Sequence, residues 1–119
     1  MTNTALSARH CAACEKECPV LTPRQASDLL QQLKGWTLTS EGKRIRKQWR
    51  VKDFAEGLAF FQRIGEVAES EGHHPDLHLT GYRDVAIELW THAVGGLTEN
   101  DFILAAKIDD VPVELKTEH

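Results

Sequence analysis

Histidine side chains are concentrated in one stretch of this chain. Four of its six histidines lie between positions 73 and 92, namely His73, His74, His78 and His92. Imidazole is the side chain whose unperturbed pKa lies nearest neutrality, so such a cluster suits proton transfer or metal binding. A lone histidine more often has no chemical role. An adjacent pair with a further histidine on a nearby element favours an acid–base site.

The histidine pair follows the clearest helix of the sequence, predicted between Lys52 and Gly72. Apolar residues recur there at helical spacing: Phe54, Leu58, Phe61, Ile64, Val67 and Ala68. Asp53 stands at the predicted start, where a carboxylate is favourable. The pattern therefore predicts a helix that buries one face and has the histidine pair at its carboxyl end.

The exit of this helix is sharply defined. Pro75 disfavours helical geometry at His74, so the chain must turn there. Glu69 precedes His73 by four residues, which on a continuous helix puts both on one face and lets the carboxylate orient that imidazole. His92 should approach the pair from a strand.

Four strands are predicted around this helix, at 36–39, 43–51, 77–82 and 84–94. In the second, Ile45, Trp49 and Val51 share one face, which predicts a core side and a solvent side. The last strand alternates in the same way. His92 falls on its side opposite the apolar stripe and is therefore not an obvious core residue.

Two further helices complete the pattern. Thr22 and Pro23 are typical of a helix start, and Gly35 of its end. Thr98 followed by Asp101 resembles a capping box at the start of the last helix. The order helix-strand-strand-helix-strand-strand-helix predicts an α+β fold, in which three helices pack on one face of a four-stranded, mainly antiparallel sheet.

Bulk composition indicates one ordinary globular domain. The chain has 119 residues, 41% hydrophobic and 27% charged. We expect residues 1–22 to be a loosely ordered, cysteine-containing leader and residues 23–115 to form the domain. No apolar run is long enough to cross a membrane, and residues 1–10 lack the features of a signal peptide. An odd number of cysteines favours a reduced, cytoplasmic protein.

Charge argues against direct nucleic-acid binding. The net charge is −4, whereas phosphate neutralisation needs clustered basic residues. The basic residues that do cluster are Lys43, Arg44, Arg46, Lys47 and Arg50. We interpret them as the solvated face of a strand rather than a polyanion site.

Metal binding is the competing account of the histidines. His74 and His78 have helical ligand spacing, but Pro75 separates them, and Glu69, Asp76 or Asp101 would have to complete the shell. The leader holds one half of a zinc pattern, Cys11, Cys14 and Cys18 with His10, and no second pair follows. We expect no metal in either place, and we take exposed thiols as the default.

A set of motifs spread over the chain is recognisable: Gly35-Trp36, Lys52-Asp53-Phe54, Phe61, the segment from Glu69 to Pro75, Tyr82, Thr91-His92 and the segment from Gly96 to Asp101. Together they resemble the pterin-4a-carbinolamine dehydratases. The resemblance covers about residues 22–110. It implies the fold expected above and the loss of water from a 4a-hydroxytetrahydropterin in tetrahydropterin recycling, with no cofactor beyond the pterin substrate.

The resemblance also implies roles for individual residues. His73 and His92 match a proton-transfer pair, and His74 matches a residue that positions substrate and shares proton transfer. The substrate-binding positions it implies are Glu69, Asp101, Trp36 and Pro75. Trp36 could equally be a core anchor.

The resemblance also predicts how copies of the chain associate, and the sequence departs from the family pattern in one place. The family implies homodimers joined edge to edge through their sheets, and homotetramers joined through helices such as the last one here. A non-catalytic dimerisation module, or a role in another pterin pathway such as molybdenum-cofactor biosynthesis, is the alternative. Between Pro75 and His92 the chain has one residue more than the animal-type pattern, near Leu79 to Gly81, which a strand bulge could absorb.

Overall fold

The computed structural model describes residues 6–8, 11 and 19–117. A short 3-10 helix at Leu6–Ala8 precedes seven further elements. In chain order these are α1 (Pro23–Leu30), β1 (Thr37–Thr39), β2 (Arg44–Arg50), α2 (Phe54–Glu71), β3 (Asp76–Thr80), β4 (Asp84–Leu89) and α3 (Glu99–Asp109). The strands form one antiparallel sheet in the order β1-β2-β4-β3. The predicted element order and α+β class are confirmed.

One face of the sheet carries the core. In the antiparallel register Ile45 lies opposite Leu89 and Trp49 lies opposite Val85. Because side chains alternate along a strand, these residues share a face, and Ile45 and Leu89 are fully buried on it. Trp49 packs edge-on against Phe60 of α2, with ring centroids 5.3 Å apart. The core therefore lies between this face and the long helix, on the side that the alternation predicted.

The opposite face of the sheet is polar. Arg44 and Arg46 bind the two carboxylate oxygens of Glu88 at 3.0 and 3.3 Å, and Arg50 binds Asp84 at 2.9 Å. Partly exposed pairs of this kind contribute little to stability. The three arginines of β2 thus form a solvated face whose charges are matched by acidic residues of β4. Lys47, which was expected on the same face, lies on the core side instead and binds Asp109 of α3 at 2.9 Å.

Local signals define both ends of α2. The Asp53 carboxylate accepts the backbone N–H of Glu56 at 2.8 Å and caps the first turn. At the other end Gly72 adopts a left-handed conformation with φ 66°, which favours glycine. The His73 backbone N–H still donates to the carbonyl of Ala68 at 3.2 Å. The chain therefore leaves the helix at Gly72, and the histidine pair lies beyond it.

The last strand ends earlier than predicted. β4 stops at Leu89, and its pairing with β2 stops with it. The Thr91 N–H donates to the Gly96 carbonyl at 2.8 Å, and residues 92–95 form a tight turn in which Gly95 has φ 65°. Since these backbone groups bond within the turn, the strand cannot continue to residue 94. The prediction that His92 lies on a strand is wrong, because His92 lies in this turn.

The β3–β4 hairpin contains no bulge. Its register runs without interruption from Asp76 opposite Glu88 to Thr80 opposite Asp84. Residues 81–83 form the connection, and both Gly81 and Tyr82 have positive φ. The strand is therefore shorter than predicted, and the turn rather than a bulge joins it to β4.

The first helix is also shorter than predicted. Thr22 and Gln25 form a reciprocal capping box at its start. It ends at Leu30 rather than near Gly35, because the next N–H groups, including that of Leu33, bond three residues back and tighten the chain into turns. Leu33 nevertheless packs against the core.

Described residues of the leader contact the domain. Leu6 is buried with an exposure of 4% and belongs to the core cluster beside α3. The Cys11 backbone N–H donates to the Glu71 carboxylate at 2.7 Å. Cys14, Cys18 and His10 lie outside the described residues. The packing of Leu6 follows from the apolar surface of α3, which would otherwise be exposed to water.

Among the helices of residues 6–8 and 19–117, none is long and apolar enough to cross a membrane.

Candidate functional site

Three of the clustered histidines line one cleft of about 280 Å³. It is built from the segment that leaves α2, the segment that follows β4, and the first turn of α3. Its lining residues are Gly72, His73, His74, Trp90, Thr91, His92, Ala93 and Asn100. The structure therefore brings together His73, His74 and His92, as the sequence predicted.

His73 is the buried histidine of the cleft. Its Nε2 lies 2.6 Å from Oδ1 of Asp101, and the Asp101 side chain is fully buried. Asp101 lies in the first turn of α3, so the contact joins α3 to the exit of α2. This partnership replaces the predicted one with Glu69, because Gly72 turns the chain out of the helix before His73.

The second carboxylate oxygen of Asp101 accepts two further hydrogen bonds. Oδ2 accepts the Thr91 hydroxyl at 2.9 Å and the Thr98 backbone N–H at 2.9 Å. The Thr91 and Thr98 hydroxyl oxygens are 2.8 Å apart. Since the single Thr91 proton goes to Asp101, the Thr98 hydroxyl must donate to Thr91. The carboxylate therefore has one defined orientation toward His73.

That orientation determines the tautomer of His73. An ionised carboxylate only accepts hydrogen bonds, so the Nε2 of His73 must carry a proton toward Asp101. In the neutral imidazole, Nδ1 is then the unprotonated nitrogen. His73 can therefore accept a proton at Nδ1 and return it, while Asp101 keeps the ring in place.

His74 has a different environment. Its Nε2 lies 2.5 Å from Oε2 of Glu69, and both side chains are largely exposed, at 62% and 77%. A pair this open to water contributes little to stability. Glu69 therefore orients His74 and not His73.

His92 packs against an aromatic ring. Its ring lies against the indole of Trp90, with centroids 4.0 Å apart and planes inclined by 31°. The Trp90 Nε1–H donates to Oδ2 of Asp76 at 3.1 Å, and the guanidinium of Arg44 lies 4.6 Å from the Trp90 ring centroid. Sequence reasoning placed Trp90 only on a strand face. Its position two residues before His92 was the signal available.

Trp36 and Pro75 do not line this cleft. Trp36 is buried, its Nε1–H donates to the Asp109 carboxylate at 3.1 Å, and its ring packs edge-on against Trp49. This is the core-anchor role considered above. Pro75 separates the histidine pair from β3. His78 lies on the outer face of the sheet opposite Ala86, away from the other three histidines.

Within residues 6–8, 11 and 19–117, no three His, Cys, Asp or Glu side chains are grouped as a metal would require. The leader pattern with Cys14, Cys18 and His10 lies outside these residues and stays a hypothesis. The one cysteine described, Cys11, is half-buried. Burial, reinforced by the carboxylate of Glu71, raises the pKa of its thiol to about 12.

Comparison with known proteins identifies one family. A family model described as pterin 4 alpha carbinolamine dehydratase matches residues 19–111. The mitochondrial pterin-4-alpha-carbinolamine dehydratase 2 of Arabidopsis thaliana is 54% identical over 112 residues, which is 92% of this chain and 60% of that relative. This chain thus spans 60% of the length of that plant protein. A putative pterin-4-alpha-carbinolamine dehydratase of Methylococcus capsulatus is 38% identical, over 96% of this chain and 99% of the relative.

Solved structures agree on the fold. A transcriptional coactivator/pterin dehydratase from Brucella melitensis superposes with a TM-score of 0.72 at 29% identity, covering 78% of this chain and 98% of that one. A pterin dehydratase-like protein identified as a RuBisCO assembly factor in the alpha-carboxysome gives a TM-score of 0.55 at 23% identity, covering 65% and 88%. The second likeness concerns the fold alone.

Proposed function

The chain belongs to the pterin 4 alpha carbinolamine dehydratase family, and from this premise we propose that it converts a 4a-hydroxytetrahydropterin to the quinonoid dihydropterin by histidine acid–base catalysis. The observation that carries the proposal is the shared cleft, in which His73, clamped by Asp101, lies with His74 and His92. The cleft volume of about 280 Å³ is near the lower end for small-ligand sites.

The reaction needs two proton transfers and no change of oxidation state. The bond between C4a and the hydroxyl oxygen breaks, and that oxygen takes a proton from an imidazolium and leaves as water. A neutral imidazole takes the proton from N5, whose N–H electron pair forms the double bond to C4a. One proton is given and one is taken, so exchange with solvent resets the site. Positioned acid and base groups each contribute ~10²–10⁴-fold.

The different environments of the histidines suggest the division of labour. His73 has its Nε2 proton engaged by Asp101, so its free Nδ1 suits the base. His92 is exposed to solvent, reaches the cleft from the other segment, and suits the acid. His74, whose orientation depends on Glu69, suits substrate positioning and assists in proton transfer.

Single replacements test the proposal. In stopped-flow measurements the wild-type protein should accelerate loss of 4a-hydroxytetrahydropterin over buffer, and His73→Ala and His92→Ala should each lower kcat by ~10²–10⁴-fold. His78→Ala is the matched control, because His78 lies outside the cleft, and it should keep the wild-type rate. A folded wild-type protein that gives no acceleration would remove the proposed activity. Unchanged rates in both cleft variants would remove the mechanism.

The pathway is part of the proposal. We assign the activity to tetrahydropterin recycling in the cytoplasm, where a reductase must consume the quinonoid product. The Arabidopsis relatives named mitochondrial and chloroplastic make the compartment a point to measure by cell fractionation. Comparing kcat/KM for 4a-hydroxytetrahydropterins with different side chains on the pterin ring tests whether a recycling pterin or that of another pathway is preferred.

Self-association is proposed on two surfaces. β3 is an edge strand within the described sheet, which suits edge-to-edge pairing of two copies. On the neighbouring α2, Phe54 and Leu58 are 50% and 51% exposed and, at i and i+4, share one face. The last helix exposes no large apolar side chain, and the short turn at Leu6–Ala8 packs against it, so α2 is the better candidate for helix-mediated contact.

Light scattering after size exclusion tests this association. We expect a dimer or tetramer for the wild type and a smaller species for Leu58→Glu, because the charge would be buried in the contact. Ser27→Glu, which adds the same charge at an exposed position of α1 outside both proposed surfaces, is the control. A monomeric wild type at micromolar concentration would contradict the proposal.

A further inference from the structure

Trp90 occupies the junction between the sheet and the turn that carries His92. It is the first residue after β4, and its half-buried side chain lines the cleft. Its indole makes three contacts: the His92 ring at 4.0 Å, the Asp76 carboxylate at 3.1 Å and the Arg44 guanidinium at 4.6 Å. These contacts reach β2, β3 and the turn, so one side chain connects the sheet to the histidine.

The cleft depends on two backbone segments that must keep a fixed separation. His73 belongs to the first segment, and Asp101 ties it to Thr91 of the second. Asp76 continues the first segment into β3, and the Trp90 indole ties it to the second. The indole is therefore a second brace between the histidine-bearing segments, on the sheet side of the cleft.

His92 needs this brace more than His73 does. It lies in an exposed turn, and within the described part of the chain its side chain makes no hydrogen bond. The stacked contact with Trp90 is what selects one orientation of its ring. Stacking of usual strength biases such a choice roughly two- to tenfold, and misplaced catalytic groups lose up to ~10²-fold in rate.

The anchoring of Trp90 makes the stack stiff. Its indole N–H is engaged by Asp76, and the Arg44 cation lies over the ring while its Nη1 binds Glu88 at 3.0 Å. Both anchors come from the outer face of the sheet. Contacts other than the one with His92 consequently fix the indole, and the imidazole packs against this fixed ring.

We propose that Trp90 is a positioning residue that orients the His92 imidazole for proton transfer to the pterin. The inference rests on the proposed dehydratase function for its kinetic consequence, whereas the orientation of the ring stands apart from any activity. Trp90 acts through His92, so its loss should lower kcat more than it raises KM.

The experiment compares Trp90→Ala, Trp90→Phe and Asp76→Ala with the wild type. Phenylalanine keeps an aromatic face but loses the indole N–H, and Asp76→Ala removes the acceptor of that N–H while keeping the indole. The indole ring current should displace the His92 ring-proton NMR resonances in the wild type. This displacement should vanish in Trp90→Ala and persist, changed in size, in Trp90→Phe.

In the kinetic arm, Trp90→Ala should lower kcat on the order of tenfold, and Trp90→Phe should recover most of that loss. Asp76→Ala should give an intermediate rate. Unchanged His73 resonances and an unchanged Tm would show that the effect is local. If Trp90→Ala leaves the His92 resonances where they are in the wild type, the proposal is overturned.

Two further outcomes separate the hypotheses. If Trp90→Phe keeps the stacked resonance but loses as much kcat as Trp90→Ala, stacking does not position the imidazole and the proposal fails. If the wild type has no dehydratase activity, the proposed function fails, and the NMR arm alone still decides whether Trp90 orients His92.

Discussion

Replacement of Asp101 by Asn gives the sharpest test of the site. Asp101 is fully buried and accepts from His73 Nε2, the Thr91 hydroxyl and the Thr98 N–H. The backbone N–H of Thr98 cannot become an acceptor, so the single amide oxygen of asparagine must take the Oδ2 position. The amide NH₂ group then faces His73.

That arrangement reverses the His73 tautomer. A donor opposite Nε2 requires Nε2 to be unprotonated, which moves the proton of the neutral ring to Nδ1. The nitrogen proposed to accept the N5 proton is then already protonated. A tautomer error of this kind costs ~10⁴-fold in serine proteases, and a lost acid–base group costs ~10²–10⁴-fold. We expect kcat to fall within that range.

Folding should be affected less than catalysis. The variant keeps the side-chain volume and the Thr98 bond and loses charge assistance, so about 1.5–3 kcal/mol of stability is at stake. Asp109→Asn is the matched control, because Asp109 lies on the same helix but binds Trp36 and Lys47 outside the cleft.

Two measurements decide the outcome. Stopped-flow rates give kcat, and ¹⁵N NMR of the imidazoles gives the tautomer of His73. A variant that moves the proton to Nδ1 yet keeps the wild-type kcat would refute the role given to His73. A variant that keeps the Nε2–H form would refute the reasoning about Asp101.

Two other predictions concern titratable groups outside the cleft. The Glu114 backbone N–H and the Arg63 guanidinium bind the Glu56 carboxylate and lower its pKa. These contacts therefore stabilise the fold above the pKa of the unfolded carboxyl, and their contribution to the free energy of unfolding is lost as pH falls. Glu56→Gln should therefore lower Tm at pH 7 and less so under acid conditions, and an equal loss at both would contradict this. Burial raises the pKa of the Cys11 thiol to about 12, so the thiol stays protonated in the native protein. Because the folded state holds this proton more tightly than the unfolded state, the free energy of unfolding falls as the pH rises above the pKa of the unfolded thiol. Site-resolved mass spectrometry should find that iodoacetamide alkylates Cys11 more slowly in the native than in the urea-unfolded protein at pH 8, and equal rates would overturn the assignment.

The elements themselves were predictable because their signals are local. Asp53 and Gly72 specify the ends of α2 through a side-chain cap and a left-handed residue, which need no tertiary contact. The alternation of Ile45 with its polar neighbours follows from strand geometry alone. The position of His73 and His74 just after α2 followed from the same signals, whereas His92 was expected on a strand and lies in a turn.

The end of β4 was less predictable. The alternating pattern continues to His92, and nothing in it marks Leu89 as the last paired residue. Pairing stops there because the Thr91 N–H is taken by Gly96 within the turn. Periodicity describes which face a residue would occupy in a strand, but the available partners decide where the strand ends.

The sequence by itself determined the order of the elements, from which the fold class follows, and the two ends of α2, because these depend on residues within a few positions of one another. Tertiary structure alone decided the partners. Asp101 rather than Glu69 holds His73, Trp36 binds Asp109 in the core, and Trp90 orients His92. Each of these contacts joins elements whose approach is set by the packing of α2 and α3 on the sheet. No local pattern encodes which side chains meet there.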